Sequence, residues 1–251
     1  MLIVLPPSET KTPRRRGAPV RPERLSFPEL SGPRAEVAQA LAAVSALPDA
    51  TERLGVSPGL AAAVERNRHL AEAVATPAER FYTGVLFDAL DLASLDPAAL
   101  RRARRRIVVL SGLYGAVRLG DALAPYRLAM GVNLDGVGPL AGYWRAHLGA
   151  ALDPLVGRGL VVDCRSSDYL AAWRPDVAAR WVQVKVPGAT HMAKHTRGLV
   201  ARLLCQEPAD PRTPAALAEL LAPHVDVTLQ TPDAGARPGT PSVLLVRPPA
   251  G

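Results

Sequence analysis

Four short segments place polar side chains on a turn beside an apolar run, which is where α/β sheets keep their ligand sites. The first, Leu5-Pro6-Pro7-Ser8-Glu9-Thr10-Lys11, offers a lysine that can hold an anion, or act as a base if burial lowers its pKa. The second, Leu110-Ser111-Gly112-Leu113-Tyr114-Gly115-Ala116-Val117-Arg118, has two glycines that let backbone N–H groups face a ligand closely. No Gly-Lys-Ser/Thr follows, so it is not a nucleotide P-loop, and a strand-to-turn connection needs glycine in any case. The third, Pro125-Tyr126-Arg127-Leu128-Ala129-Met130-Gly131, sets a phenol beside a guanidinium. Arginine clamps phosphate or carboxylate through two parallel hydrogen bonds, or ties its own loop to a carbonyl. The fourth, Asp163-Cys164-Arg165-Ser166-Ser167-Asp168-Tyr169, gathers hydroxyls, a carboxylate and a guanidinium on one turn, although Ser166 or Ser167 also suits a helix N-cap.

Four further features touch on metal or nucleic acid. His191 and His195 are four residues apart on an expected helix, a spacing that can bind a metal. No HExxH glutamate and no third ligand accompany them, so neither a metal nor another cofactor is expected. Lys194 and Arg197 on the same helix form a compact basic face. Leu134-Asp135-Gly136-Val137-Gly138-Pro139-Leu140-Ala141 resembles the turn of a helix-hairpin-helix element, in which N–H groups around Gly136 and Gly138 would point at a DNA phosphate. Arg101-Arg102-Ala103-Arg104-Arg105-Arg106 is densely basic, but basic residues also favour a helix C-terminus.

The elements that must position these residues follow from apolar patterning. Leu2–Leu5 and 107–110 are short continuous apolar runs, and the pattern predicts strands buried on both faces, with 159–164 as another buried strand. Residues 181–186 alternate as a further strand, and 225–229 and 242–246 suit terminal strands. Helices are expected over 34–47, within 58–75, from the Thr76-Pro77 start signal to about Leu90, from Asp96-Pro97 to about Arg106, and over 139–155, 191–206 and 213–221. Residues 8–33 form a proline-rich loop with a basic run, Arg14-Arg15-Arg16. Strands alternating with helices argue for an α/β fold with a mixed, mostly buried sheet and surrounding helices. The absence of repeats and long linkers argues for one compact domain over 1–251.

Bulk properties narrow the class further. In 251 residues, 48% are hydrophobic but 4% aromatic, so the core must be built from Ala, Val and Leu. The formal charge of +7 favours anionic partners, although an arginine-rich coding bias produces the same excess. Two cysteines make no disulfide framework, which suits a reducing cytoplasm. No apolar stretch approaches the roughly 20 residues of a membrane span, so no membrane is expected.

Taken in order, Leu5-Pro6-Pro7-Ser8-Glu9-Thr10-Lys11, Phe81-Tyr82-Thr83-Gly84, Ser111-Gly112-Leu113-Tyr114-Gly115, Tyr126-Arg127-Leu128-Ala129-Met130-Gly131, Tyr143-Trp144-Arg145 and Lys194-His195-Thr196-Arg197-Gly198 resemble the landmarks of the YaaA family of bacterial peroxide stress proteins. The resemblance runs from the N-terminus to about residue 206. It implies a compact α/β fold with a positively charged cleft, and a role in hydrogen-peroxide stress linked to double-stranded DNA binding and to lower intracellular free iron. It also implies that Lys11, Tyr82, Thr83, Tyr114, Arg127, Trp144, Lys194 and Arg197 line one cleft, which Ser111, Ser167 and Asp168 would join. Many relatives carry Glu where this chain has Ala129. Two readings follow. In one, Lys11, Arg127, Lys194 and Arg197 contact duplex phosphates, helped by the Gly136–Gly138 turn. In the other, the cleft is an enzyme site for a small anionic or nucleobase-like molecule. Lys11 would then be base or electrostatic stabiliser, Tyr114 proton donor and Arg127 anchor.

Overall fold

Leu2-Ile3-Val4-Leu5 and Ile107-Val108-Val109-Leu110 carry large aliphatic side chains with no polar alternation. Such strands are stable where both faces are covered, and every one of these residues is buried. In the computed structural model, which describes residues 1–177, 180–188, 190–237 and 239–247, they lie side by side at the heart of a seven-stranded mixed sheet flanked by helices. The α/β architecture expected from the sequence is the one the chain adopts.

In chain order, β1 (Leu2–Leu5) leads through a long loop to α1 (Ser31–Ser45), α2 (Ala50–Arg53) and α3 (Ala61–Glu65). A two-residue strand β2 (Thr76–Pro77), α4 (Ala78–Phe81), α5 (Val85–Leu90) and α6 (Pro97–Arg106) precede β3 (Ile107–Ser111) and β4 (Gly115–Arg118). Next come β5 (Ala122–Leu123), the hairpin β6 (Asn133–Leu134) and β7 (Gly138–Pro139), α7 (Leu140–Val156) and β8 (Val161–Asp163). The chain continues with α8 (Ser167–Leu170), β9 (Trp181–Lys185), α9 (Thr190–Gln206), α10 (Pro214–Leu221), β10 (Asp226–Gln230) and β11 (Ser242–Arg247). The sheet order is β10-β11-β9-β8-β1-β3-β4. β3, β1, β8, β9 and β11 run parallel, and β4 and β10 close the two edges antiparallel. Among the described residues, no helix is long and apolar enough to cross a membrane.

The two proline start signals fold differently. The Asp96 carboxylate accepts from the N–H groups of Ala98 (2.7 Å) and Ala99 (2.9 Å), capping α6 as its sequence predicts. Thr76-Pro77 instead pairs with β5, and the single helix expected from there to Leu90 is two helices, split where Gly84 takes a φ of +91°. Likewise the helix expected within 58–75 is broken into short turns around α3.

α9 packs directly on α5, and Gly198 is what lets it approach. A Cβ at this position would stand 2.2 Å from the Leu86 carbonyl oxygen and 2.8 Å from the Ala89 Cβ. Alanine is the better helix former by about 1 kcal/mol, yet Gly198→Ala is expected to destabilise the protein by about 1–3 kcal/mol, because backbone rather than a flexible side chain must give way. Urea unfolding measures this. A stabilised variant would mean that the two helices sit farther apart.

Candidate functional site

The five parallel strands all point their C-terminal ends at one rim. From β1 the chain crosses to β3 on one side, whereas β8, β9 and β11 build outward on the other. The loops leaving β1 and β8 therefore diverge, and such a divergence opens the crevice in which α/β sheets bind ligands. The β1 loop carries Lys11, β3 ends in Ser111, and the β8 loop carries Arg165, Ser167 and Asp168. Three of the four segments singled out from the sequence thus meet at this rim. The fourth, 125–131, folds over it, with Gly131 against the Asp168 carboxylate and Tyr126 bonded to Ser111.

Lys11 is the centre of one part of the site. Its loop pairs with Tyr82, and its Nζ lies 4.5 Å from the centroid of the Tyr126 ring. The Nζ donates to the backbone carbonyls of Ser8 (2.7 Å) and Glu9 (3.4 Å). Burial, and next the positive charge of Arg127, pull its pKa from 10.5 down to about 7, against the opposing pull of the Glu9 carboxylate. A neutral amine has two N–H donors and one lone pair, and two carbonyls are what this nitrogen meets. Behind it runs a hydroxyl relay. The Tyr114 N–H donates to Ser111 Oγ (3.0 Å), Ser111 Oγ donates to the Tyr126 hydroxyl (2.7 Å), and that hydroxyl lies 3.2 Å from the Tyr82 hydroxyl. Burial raises the pKa of Tyr82 and Tyr126, so both phenols stay protonated and able to donate.

Farther along the rim, where β8, β9 and α9 meet, lies a cavity of about 320 Å³ that Lys11 does not line, with Ser167, Gln183, Lys185 and Arg197 on its walls above a floor of Asp163 and Arg165. The floor is a buried ion pair. Arg165 Nε and Nη2 donate to the two Asp163 carboxylate oxygens at 2.8 and 2.5 Å, with both side chains fully buried. Trp181 Nε1 donates to the same carboxylate at 3.0 Å, and Arg165 Nη1 donates to the Tyr169 carbonyl at 3.0 Å, which ties α8 to the sheet. Arg197 enters from α9 and is steered by a 3.3 Å bond from Nε to the Val184 carbonyl.

Several expected residues lie elsewhere or play other parts. Trp144 is entirely buried, donates from Nε1 to the Gly112 carbonyl (2.8 Å) and walls no cleft. Gly115 holds a φ of +68°, and a Cβ there would meet the Trp144 ring at 2.5 Å, so this glycine serves core packing. Tyr114 is buried and its hydroxyl accepts from the Ala124 N–H (3.0 Å), so Tyr126 and not Tyr114 is the phenol beside Lys11. The Thr83 Oγ1 is buried without a partner among the described residues. Arg127 pairs with Glu9 at 3.0 Å, and Lys194 is exposed on α9. The helix-hairpin-helix expectation fails, because strand β6 precedes the Gly136–Gly138 turn where that motif requires a helix. This hairpin lies beside α1, with Gly136 facing Ala40 and Asp135 paired with Arg53 of α2. Among the described residues, no three His, Cys, Asp or Glu side chains are grouped to hold a metal, and burial pushes the Cys164 thiol up to about 12.

Two contributors were not chosen from the sequence. Asn67 is fully buried and pairs with the backbone of Arg127, accepting from its N–H (2.8 Å) and donating to its carbonyl (3.1 Å), which sets the 125–131 loop. Nothing around Asn67 in the sequence signals this. Tyr169 stands beside Tyr126, with its pKa raised by burial and next by Tyr126. It belongs to the quoted Asp163–Tyr169 segment, and its position at the end of that turn was the available signal.

The family model described as peroxide stress protein YaaA matches residues 1–223. A UPF0246 protein of Streptomyces coelicolor is 44% identical over 98% of both chains. A UPF0246 protein of Corynebacterium efficiens is 38% identical over 88% of this chain and 91% of its own, and one of Corynebacterium glutamicum is 36% identical over 85% and 88%. With the family model covering most of its length and these relatives covering nearly all of it, this chain belongs to the YaaA family of peroxide stress proteins.

Proposed function

We propose that the rim is an enzyme site that binds a small anionic or nucleobase-like molecule and moves a proton on it, with Lys11 as the base. The observation that carries this reading is the lysine itself. Only three of the chain's thirty basic side chains are lysine. Arginine cannot give up its proton in a protein, whereas a buried lysine can. One of the three stands at the strand-order switch point with its pKa brought to about 7, near the value a general base needs. Tyr126 and Tyr82, protonated and bonded to each other, with Ser111 bonded to Tyr126, return a proton on the same side. Arg197 and Lys185 supply positive charge to the rim's cavity, whose size falls in the range of about 300–1,000 Å³ usual for small ligands.

Duplex DNA binding is the second reading, favoured by the +7 charge and by the exposed Lys194. It would let a peroxide stress protein shield DNA when free iron makes peroxide damaging. Against it, Lys11 is turned inward and Arg127 is already paired. Thermal unfolding against small carboxylates, phosphates and nucleobases separates the two. The enzyme reading expects one class to raise Tm by several degrees in the native chain, less in Arg197→Ala, with Lys11→Met retaining binding but not turnover. If no compound shifts Tm, and duplex binds with a steep salt dependence lost in Lys194→Ala/Arg197→Ala, the DNA reading replaces it.

A further inference from the structure

The basic run at the start of the long loop takes no part in the rim. Residues 14–24 hold five arginines against one glutamate, more than half of the formal excess of +7. This loop is pinned to the body. The Arg14 N–H donates to Thr76 Oγ1 (2.9 Å), the Ala75 N–H donates to the Ala18 carbonyl (3.0 Å), and Pro19 bridges to Val74. Between the loop and the 120–122 turn lies a cavity of about 490 Å³, with Arg14, Arg21 and Arg24 on its wall and Ala18, Leu25 and Pro77 among its apolar lining. The turn follows the end of β4 that pairs with the start of β3, so this cavity lies toward the opposite end of the sheet from Lys11.

The lining contains one carboxylate, Asp121, and that group is already engaged. Its Oδ1 accepts from the Ser26 N–H (3.0 Å) and Ser26 Oγ (2.9 Å), and its Oδ2 accepts from the Arg118 N–H (2.8 Å). Arg14, Arg21 and Arg24 make no side-chain hydrogen bond or ion pair among the described residues, whereas Arg34, Arg106 and Arg165 are each committed to several acceptors. Three uncommitted guanidinium groups around one concave volume form an arrangement suited to several phosphate oxygens at once, since each can bond bidentately.

We propose that this cavity is a second site, which binds the phosphate chain of a small oligophosphate-bearing molecule. The cavity's concave, partly apolar shape favours a small ligand over a duplex, whose phosphates lie on a convex surface. The test is calorimetric titration of the native chain with tripolyphosphate at fixed ionic strength. It is repeated on Arg21→Ala/Arg24→Ala and on a charge-matched control, Arg101→Ala/Arg105→Ala, which removes two exposed arginines from α6. Circular dichroism confirms that each variant is folded. The expected result is saturable binding weakened about tenfold per guanidinium removed from the loop, with the control changed no more than about threefold. Absent binding, or equal weakening in both double variants, would overturn the proposal. So would a short duplex that binds at the loop arginines and is not displaced by tripolyphosphate.

Discussion

Arg165→Met is expected to cost about 3–5 kcal/mol of folding stability, the largest loss of any single substitution at the rim. The substitution keeps the length of the side chain and removes its charge. What remains is the Asp163 carboxylate, fully buried at the end of β8, with the Trp181 N–H and the Arg165 backbone N–H as its partners. The desolvation that two mutually bonded charges withstand becomes prohibitive for one. α8 also loses its tie through the Tyr169 carbonyl, so Ser167 and Asp168 lose their fixed place. The double variant Asp163→Leu/Arg165→Met removes both charges and is expected to regain much of the loss. Urea unfolding of the three proteins checks this. A single variant less than about 1 kcal/mol below the native chain would mean that the pair is hydrated.

The second large effect is a pH dependence traceable to one residue. In the folded protein Lys11 loses its proton near pH 7, and in the unfolded chain near 10.5. Between these values the unfolded chain binds more protons, so stability must rise with pH, by up to about 1.4 kcal/mol per unit. Below pH 7 both states are protonated and the full cost of the buried charge is present. From about pH 7.5 to about pH 9 the native chain should therefore gain about 2 kcal/mol relative to Lys11→Met, measured as the difference in urea unfolding free energy. Comparing the two proteins cancels the buried tyrosines and cysteines, whose raised pKa values act in the opposite sense at higher pH. A constant difference across this range would show that Lys11 keeps its proton.

Much of the sheet was legible because its central strands are uninterrupted aliphatic runs. Nothing but burial on both faces explains Leu2–Leu5 or Ile107–Leu110. The rim was partly legible too, since polar residues just after such runs must lie where the strands end. The partners of each side chain were not. That Tyr126 covers Lys11 while Tyr114 turns to Ala124 depends on how the 125–131 loop folds back. That fold rests on Asn67, sixty residues away and without any local pattern. The glycine landmarks were misread for a related reason. Gly112 and Gly115 look like backbone kept bare for a ligand, but what approaches them is the Leu128 carbonyl and the Trp144 ring. The Gly136–Gly138 turn has the spacing of a DNA-binding hairpin, yet its short flanks pair with each other as strands.

A pH titration of the Lys11 amine, followed by NMR after isotopic dimethylation, shows whether this lysine is the base of the rim. Dimethylation labels the three lysines, Lys11, Lys185 and Lys194, together with the N-terminal amine, and Lys11→Met assigns the one signal that matters. A Lys11 midpoint near 7 is the expected result. A midpoint near the ordinary 10.5 would contradict it, leave Lys11 a fixed cation, and remove the base from the proposed site.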